Sequence, residues 1–219
     1  MKKIKAALIL IFCIVIIAGV VIWQYDNISA VIKAFYYSEN EISEMMHLNK
    51  QKLESELLEK IPEMVSDFSS EDEAKIMSGQ MSIEDAVKKK EEELKENIKG
   101  LSTDAKTNKI VSKKIIEFYS LKAYYLGQLG QLETKVIADY SALSDEKKNL
   151  VGKKEIAGKY ISVATSLLAQ CDAKVDSLLK ELEKDIKMVG GDLSIITTIK
   201  NHYENEKNLK KAYYMSKLK

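Results

Sequence analysis

The chain contains no arginine, one proline, two cysteines and two histidines among its 219 residues. Without arginine it lacks the planar fork that reads base edges, and the near balance of acidic and basic residues also argues against nucleic-acid binding. Cys13 lies within an apolar run and Cys171 lies far outside it, so a disulfide framework is excluded. Two histidines and one remaining cysteine are too few for a zinc site of the usual type.

The scarcity of proline and glycine favours helix nearly everywhere, and lysine, glutamate, leucine, isoleucine and alanine are abundant. Apolar residues recur at steps of three, four and seven, and no strand pattern competes. The clearest stripe includes Cys171, Val175, Leu178, Leu182 and Ile186. The predicted fold class is therefore all-α, with an N-terminal transmembrane helix that continues into an elongated antiparallel helical bundle with a coiled-coil-like body.

Residues 6–23 form a run of eighteen residues without a charge or a strong hydrogen-bonding side chain. A helix of this length matches the hydrocarbon thickness of a bilayer. Lys2, Lys3 and Lys5 precede the run, so the positive-inside rule places the N-terminus in the cytoplasm. A cleaved signal peptide is the alternative, but the best cleavage positions have isoleucine rather than a small residue at −3.

These features predict a single-pass protein of the cell membrane, with a cytoplasmic tail at 1–5, a transmembrane anchor at 6–23 and an extracytoplasmic helical domain at 24–219. The domain carries 31 basic and 33 acidic residues, a net charge of −2. Capping signals at serines and stop signals at glycines predict its helices. The predicted ranges are about 24–61, 71–78, 82–99, 103–143, 145–189 and 193–217.

The sequence makes further predictions for the first and third of these helices. The first has no glycine or proline before Pro62, so we expect it to continue from the anchor without a break. Its apolar stripe includes Val31, Ile32, Phe35 and Ile42. The charged run at 88–96 in the third helix is expected to be a solvated face.

No group of residues meets the requirements for catalysis, so the chain is predicted not to be an enzyme and to have no cofactor and no metal site. Glu44 and His47 have the spacing of one ligand pair of a di-metal bundle, but the second pair is missing. The segment from Gly152 to Tyr160 resembles a phosphate-binding loop only superficially, since its glycine spacing is wrong and tyrosine follows the lysine.

The leading functional hypothesis is a structural or protein-interaction module that binds another protein or associates with itself. The candidate interaction surface consists of exposed apolar and aromatic residues near the proposed membrane and at the end of the last helix: Phe35, Tyr36, Tyr37, Met45, Tyr213 and Tyr214. The alternative hypothesis is a ligand- or envelope-sensing accessory domain that works through a partner membrane protein.

A lysine-rich segment from residue 207 onward suggests a second, weaker kind of partner. It contains no acidic residue, and its five lysines are Lys207, Lys210, Lys211, Lys217 and Lys219. These residues are candidates for weak contact with anionic envelope polymers or lipid headgroups. Stabilisation of a helix C-terminus by its lysines is the competing interpretation.

Overall fold

The structure, a computed structural model, describes residues 29–61, 65–97, 99, 106–148 and 150–216. The predicted tail at 1–5 and the predicted anchor at 6–23 lie outside these residues, as do Lys217 and Lys219. Over the part of the chain that is described, no helix combines the length and the apolarity needed to cross a membrane.

Helices make up the regular structure of the described residues. Strands are absent from the described residues, so the predicted all-α class and helical bundle are confirmed. Residues 29–36 form α1. The helices that follow are α2 (Glu39–Lys60), α3 (Ser70–Ser78), α4 (Ile83–Asn97), α5 (Lys106–Ser141), α6 (Leu150–Met188) and α7 (Ser194–Ser216), with a 3-10 turn at Asp145–Lys147.

Internal contacts divide the chain into two compact units. Unit 1 comprises Met1–Asn49 with His202–Lys219, and unit 2 comprises Lys50–Asn201. Helices α2 and α7 each contribute residues to both units. The sequence had predicted one helical body over 24–219.

The predicted unbroken helix over 24–61 is wrong, because Tyr37 and Ser38 separate α1 from α2. Ser38 and Glu41 form a reciprocal capping box that starts the new helix. The Glu41 carboxylate accepts a hydrogen bond from the Ser38 backbone N–H at 2.8 Å, and the Ser38 hydroxyl oxygen accepts one from the Glu41 N–H at 3.3 Å. These bonds from Ser38 lower the pKa of Glu41. The pattern was visible in the sequence, but the apolar periodicity on either side obscured it.

Two other helix starts differ from the prediction. The cap of α3 is Ser69, whose hydroxyl accepts a hydrogen bond from the Asp72 N–H at 3.1 Å, so α3 begins at Ser70 rather than at residue 71. Ser144 precedes the 3-10 turn and makes no side-chain capping bond. The Ser144 carbonyl accepts the Lys147 N–H at 2.8 Å, which closes a tight turn and delays the start of α6 to Leu150.

The core of unit 1 is built mainly from small side chains on α1, α2 and α7. Its fully buried members are Ala30, Ala34, Ile42, Leu209 and Ala212, and Met45, Met46, Tyr213 and Met215 pack against them. Alanine lets helices approach closely because only a methyl group separates the backbones. This core therefore joins segments that lie far apart in the sequence.

A buried polar cluster lies in the same unit. The Asn49 side chain donates to the His202 carbonyl at 3.3 Å, and its amide oxygen accepts from Asn205 at 2.7 Å. The His202 Nδ1 lies 3.1 Å from the same oxygen. Since a buried amide needs partners for both of its ends, this cluster fixes the register of α2 against α7 within unit 1.

In unit 2, α5 and α6 form an antiparallel pair, and α3 and α4 pack against α5. Lys114 of α5 pairs with Glu181 of α6 at 2.9 Å, and Asp139, farther along α5, pairs with Lys159. Buried apolar residues concentrate in one half of the pair: Val111, Ile115, Tyr119, Ala123, Leu126, Val175, Leu179, Leu182 and Ile186. Among the described residues from 131 to 174 only Gly152 is buried, so the other half has little core beyond the seam between two helices.

The segment 65–69 crosses unit 2 without regular secondary structure, and helix side chains satisfy its backbone. The Tyr119 hydroxyl of α5 donates to the Val65 carbonyl at 2.9 Å. The Glu93 carboxylate of α4 accepts the Ser66 N–H at 3.1 Å. Burial holds the pKa of Tyr119 well above its usual range, so its phenol remains a donor.

Asp67 lies at the centre of this segment and is bound on every side. Its N–H donates to Glu54 of α2 at 2.9 Å, and its carbonyl accepts from Lys90 of α4 at 3.3 Å. Its carboxylate accepts from Lys122 of α5 at 2.6 Å and pairs with Lys50 at 3.6 Å. The prediction that 88–96 is a solvated face is therefore wrong at Lys90, which is 3% exposed.

We expect Asp67→Asn to lower the free energy of unfolding by about 1–3 kcal/mol, because Lys50 and Lys122, which also pair with Glu73, would each lose their contact with the buried Asp67 carboxylate. Urea unfolding of the full chain, followed by circular dichroism, measures this. Asp145→Asn is the control, since the Asp145 side chain is 98% exposed in its pair with Lys148. That variant should change stability by less than about 0.5 kcal/mol. Equal losses in the two variants would contradict the central role of Asp67.

Two glycines in helix interiors should respond oppositely to alanine. A Cβ at Gly130 of α5 would overlap the Met77 carbonyl, whereas a Cβ at Gly158 of α6 would meet nothing within 4 Å. Gly130→Ala should destabilise the protein by about 1–3 kcal/mol or more, because the backbone of α3 must move. Gly158→Ala should stabilise it by about 0.5–1 kcal/mol through helix propensity. Thermal unfolding would show the two signs, and a gain at Gly130 would refute the close approach.

Candidate interaction surface

The six residues predicted as an interaction surface all belong to unit 1, but their exposure differs. Phe35 and Tyr36 of α1 are 73% and 75% exposed, and Tyr37 in the break is 39% exposed. Met45 and Tyr213 pack against the core of the unit, and Tyr214 is half-buried. The exposed part of the predicted surface therefore lies on α1 and just after it.

Helix α1 has two apolar faces of different kinds. Ala30 and Ala34 form an inner face that is buried in the core of unit 1. The opposite side, here called the outer face, consists of Val31, Ile32, Phe35 and Tyr36, and each of these residues is at least half exposed. The small side chains thus face inward and the large ones face solvent, the reverse of an ordinary surface helix.

The outer face is also free of charge. Successive residues of an α-helix are rotated by about 100° around its axis, so the four side chains of the outer face span an arc of about 140°. The middle of this arc lies about 150° around the axis from the middle of the inner face. Lys33, the one charged residue among 29–36, lies about 130° from the middle of that arc. A continuous uncharged arc of large apolar groups is typical of a surface that another molecule covers.

Val31 and Ile32 belong to this surface, although the sequence analysis did not select them. They are 52% and 50% exposed. With Phe35 and Tyr36 they follow the spacing i, i+1, i+4, i+5. This spacing places all four residues on one face of a helix and was the sequence pattern from which the surface could have been predicted. Because large apolar residues at helical spacing usually point inward, the pattern instead predicts that this face is buried in the core.

Aromatic packing gives the outer face a defined geometry. The rings of Phe35 and Tyr36 have centroids 5.5 Å apart and planes at 79°, an edge-to-face arrangement. Tyr213 and Tyr214 form a similar pair at 5.6 Å and 78°. Each ring restricts the rotation of its neighbour before any partner binds. The outer face therefore loses less side-chain conformational entropy on binding than a face of independent, flexible side chains would lose.

The lysines predicted to contact anionic polymers are partly engaged within α7. The Lys207 ammonium pairs with Glu204 at 2.6 Å and lies 5.2 Å from the centroid of the Tyr203 ring. Lys210 pairs with Glu206 at 3.5 Å. Since these glutamates neutralise nearby positive charge, α7 is less attractive to an anionic polymer than its lysine count suggests.

Other candidate sites offer little chemistry. An open groove of about 450 Å³ is lined by one helix, α6, through Lys180, Glu183, Lys184, Lys187 and Met188, unlike the concave sites that enclose small molecules. Within the described ranges, no group of three or more histidine, cysteine, aspartate or glutamate residues is placed to hold a metal ion. Glu44 and His47 are both exposed on α2, and Cys171 is half-buried on α6.

Comparisons with known proteins give no family for this chain. No protein-family model matches it, and neither a curated protein nor a solved structure is similar to it.

The two faces of α1 should respond differently to substitution. Ala34→Leu should lower the free energy of unfolding by about 1–3 kcal/mol, because the added carbons must enter a packed alanine interface. Phe35→Ala should change it by less than about 0.5 kcal/mol, because that side chain is largely exposed. Thermal unfolding of the full chain in detergent at low protein concentration compares them. A larger loss for Phe35→Ala would contradict the assignment of the two faces.

Proposed function

We propose that this chain is a non-enzymatic, single-pass membrane protein whose extracytoplasmic helices bind another protein. Residues 6–23 would form the anchor, and the lysines before them would keep the N-terminus in the cytoplasm. The observation that carries the proposal is the outer face of α1, whose Phe35 and Tyr36 are about three-quarters exposed.

The outer face leaves a large apolar area in water. A surface helix normally buries its large apolar side chains, but in α1 the alanines of the inner face pack against the core of unit 1 and the large side chains stay exposed. Covering a large apolar side chain is favourable by about 1.5–3 kcal/mol when burial is complete. Several such side chains in one arc favour association with a second surface.

The chemistry of the face favours a protein partner. Tyrosine and phenylalanine are enriched at the centres of protein interfaces, and charged residues are depleted there. The outer face has this composition, with two aromatic and two branched aliphatic side chains and no charge. An anionic polymer would instead require unneutralised lysines, and Lys207 and Lys210 have glutamate partners.

Site-specific photo-crosslinking in intact cells tests this function. We expect a photoreactive phenylalanine analogue at Tyr36 to give a discrete protein adduct, because the partner would cover that ring. The same analogue at Met188 is the control, since Met188 is 68% exposed on α6 and lies away from the proposed surface in the sequence. It should give no discrete adduct.

Two outcomes would contradict the proposal. Adducts of the same kind and yield at both positions would mean that exposure alone determines crosslinking. Exclusive adducts with lipid at Tyr36 would mean that the bilayer, rather than a protein, covers the outer face.

A further inference from the structure

We propose that the partner of the outer face is a second copy of this chain, so that two anchored copies form a parallel two-fold dimer through α1. This inference rests on the proposed membrane anchor and on the proposed protein-binding function.

The position of the outer face favours a contact between identical chains. Seven residues separate Trp23, the last residue of the apolar run, from Val31. Even a fully extended segment of this length would keep the outer face within about 28 Å of the end of the run. Two copies anchored by the same run therefore keep this face within the same short distance of the bilayer. A two-fold axis along the membrane normal then brings each face against its own copy.

The charge distribution permits this contact. A parallel two-fold dimer places like residues near one another, so any charge at the centre of the face would meet an equal charge. The arc from Val31 to Tyr36 has none, and Lys33 lies about 130° from its middle. The α1 helices of two copies can therefore approach without placing a lysine at the centre of the contact.

The area of the face also fits association within a membrane. Complete burial of an aromatic side chain removes about 150–250 Å² from water. Phe35 and Tyr36 are about three-quarters exposed, and Val31 and Ile32 are about half exposed. The accessible area of the outer face is therefore on the order of 400 Å² per chain. Two copies would bury on the order of 800 Å², which is below the roughly 1,200 Å² of a standard stable interface in solution. Anchoring raises the effective concentration of the copies, and a contact of this size then suffices.

Cysteine crosslinking of the full chain in native membranes tests the dimer. Cys13→Ala and Cys171→Ala remove the natural thiols, and Ile32→Cys then places one near the middle of the outer face. Lys33→Cys is the matched control, because it is the next residue on the same helix and points away from the arc. Under mild oxidation, with two differently tagged copies in one cell, we expect roughly tenfold more disulfide-linked dimer from Ile32→Cys than from Lys33→Cys.

A second variant links the dimer to the aromatic side chains. Phe35→Ala in the Ile32→Cys chain should reduce the dimer yield roughly tenfold, since a central aromatic residue typically dominates such a contact. The yield should be restored by Phe35→Leu more than by Phe35→Ser. A yield that is insensitive to residue 35 would overturn the proposed contact.

The remaining outcomes separate this inference from the proposed function. Equal dimer yields from Ile32→Cys and Lys33→Cys would indicate random collision and overturn self-association. If Ile32→Cys gives no dimer while the photoreactive group at Tyr36 captures a different protein, self-association is wrong and the protein-binding function stands. If neither experiment gives a protein adduct, both proposals are wrong.

Discussion

The interaction on which unit 2 depends is the set of hydrogen bonds that polar and charged helix side chains make to segment 65–69. A buried stretch of backbone outside a helix must find partners for its N–H and C=O groups, and here Glu54, Lys90 and Tyr119 supply them from three helices. The Asp67 carboxylate pairs with the half-buried Lys50 and Lys122, and both lysines also pair with Glu73. Because these groups form one network, removal of one weakens the contacts of its neighbours, and the segment holds α2, α4 and α5 in a single arrangement.

Much of the helical architecture follows from the sequence, because periodicity, capping patterns and glycines act locally. Val175, Leu182 and Ile186 were predicted on the core stripe of α6 and are buried. The tertiary roles of charged residues were not accessible in the same way. Lys90 lies four residues from both Ala86 and Leu94, the buried face of α4, but the hydrogen bond that accommodates its ammonium comes from the Asp67 carbonyl, in a segment more than twenty residues away. Long-range pairing of this kind becomes visible only when the chain is folded.

The candidate surface was predictable in part, and the reason for the remainder is physical. Phe35 and Tyr36 were predicted as part of an interface of exposed apolar residues, and both are exposed. The periodicity of large side chains nevertheless assigned Val31, Ile32 and Phe35 to the core, although the alanines of α1 form it. Prediction from the hydrophobic pattern assigns large apolar residues to the core, whereas helices that pack closely require small residues at their contact. A helix with both kinds of residue therefore has two plausible buried faces.

The composition of unit 1 has a consequence for biosynthesis. Its core joins Ala30 and Ala34 to Leu209 and Ala212. The inner face of α1 therefore cannot pack until residues 209 and 212 have been synthesised. Unit 2 spans the continuous stretch Lys50–Asn201 and has its own core, so it can fold while synthesis proceeds. The nascent protein would then mature from the middle outward. During that interval both faces of α1 remain available to a chaperone or to a neighbouring nascent chain.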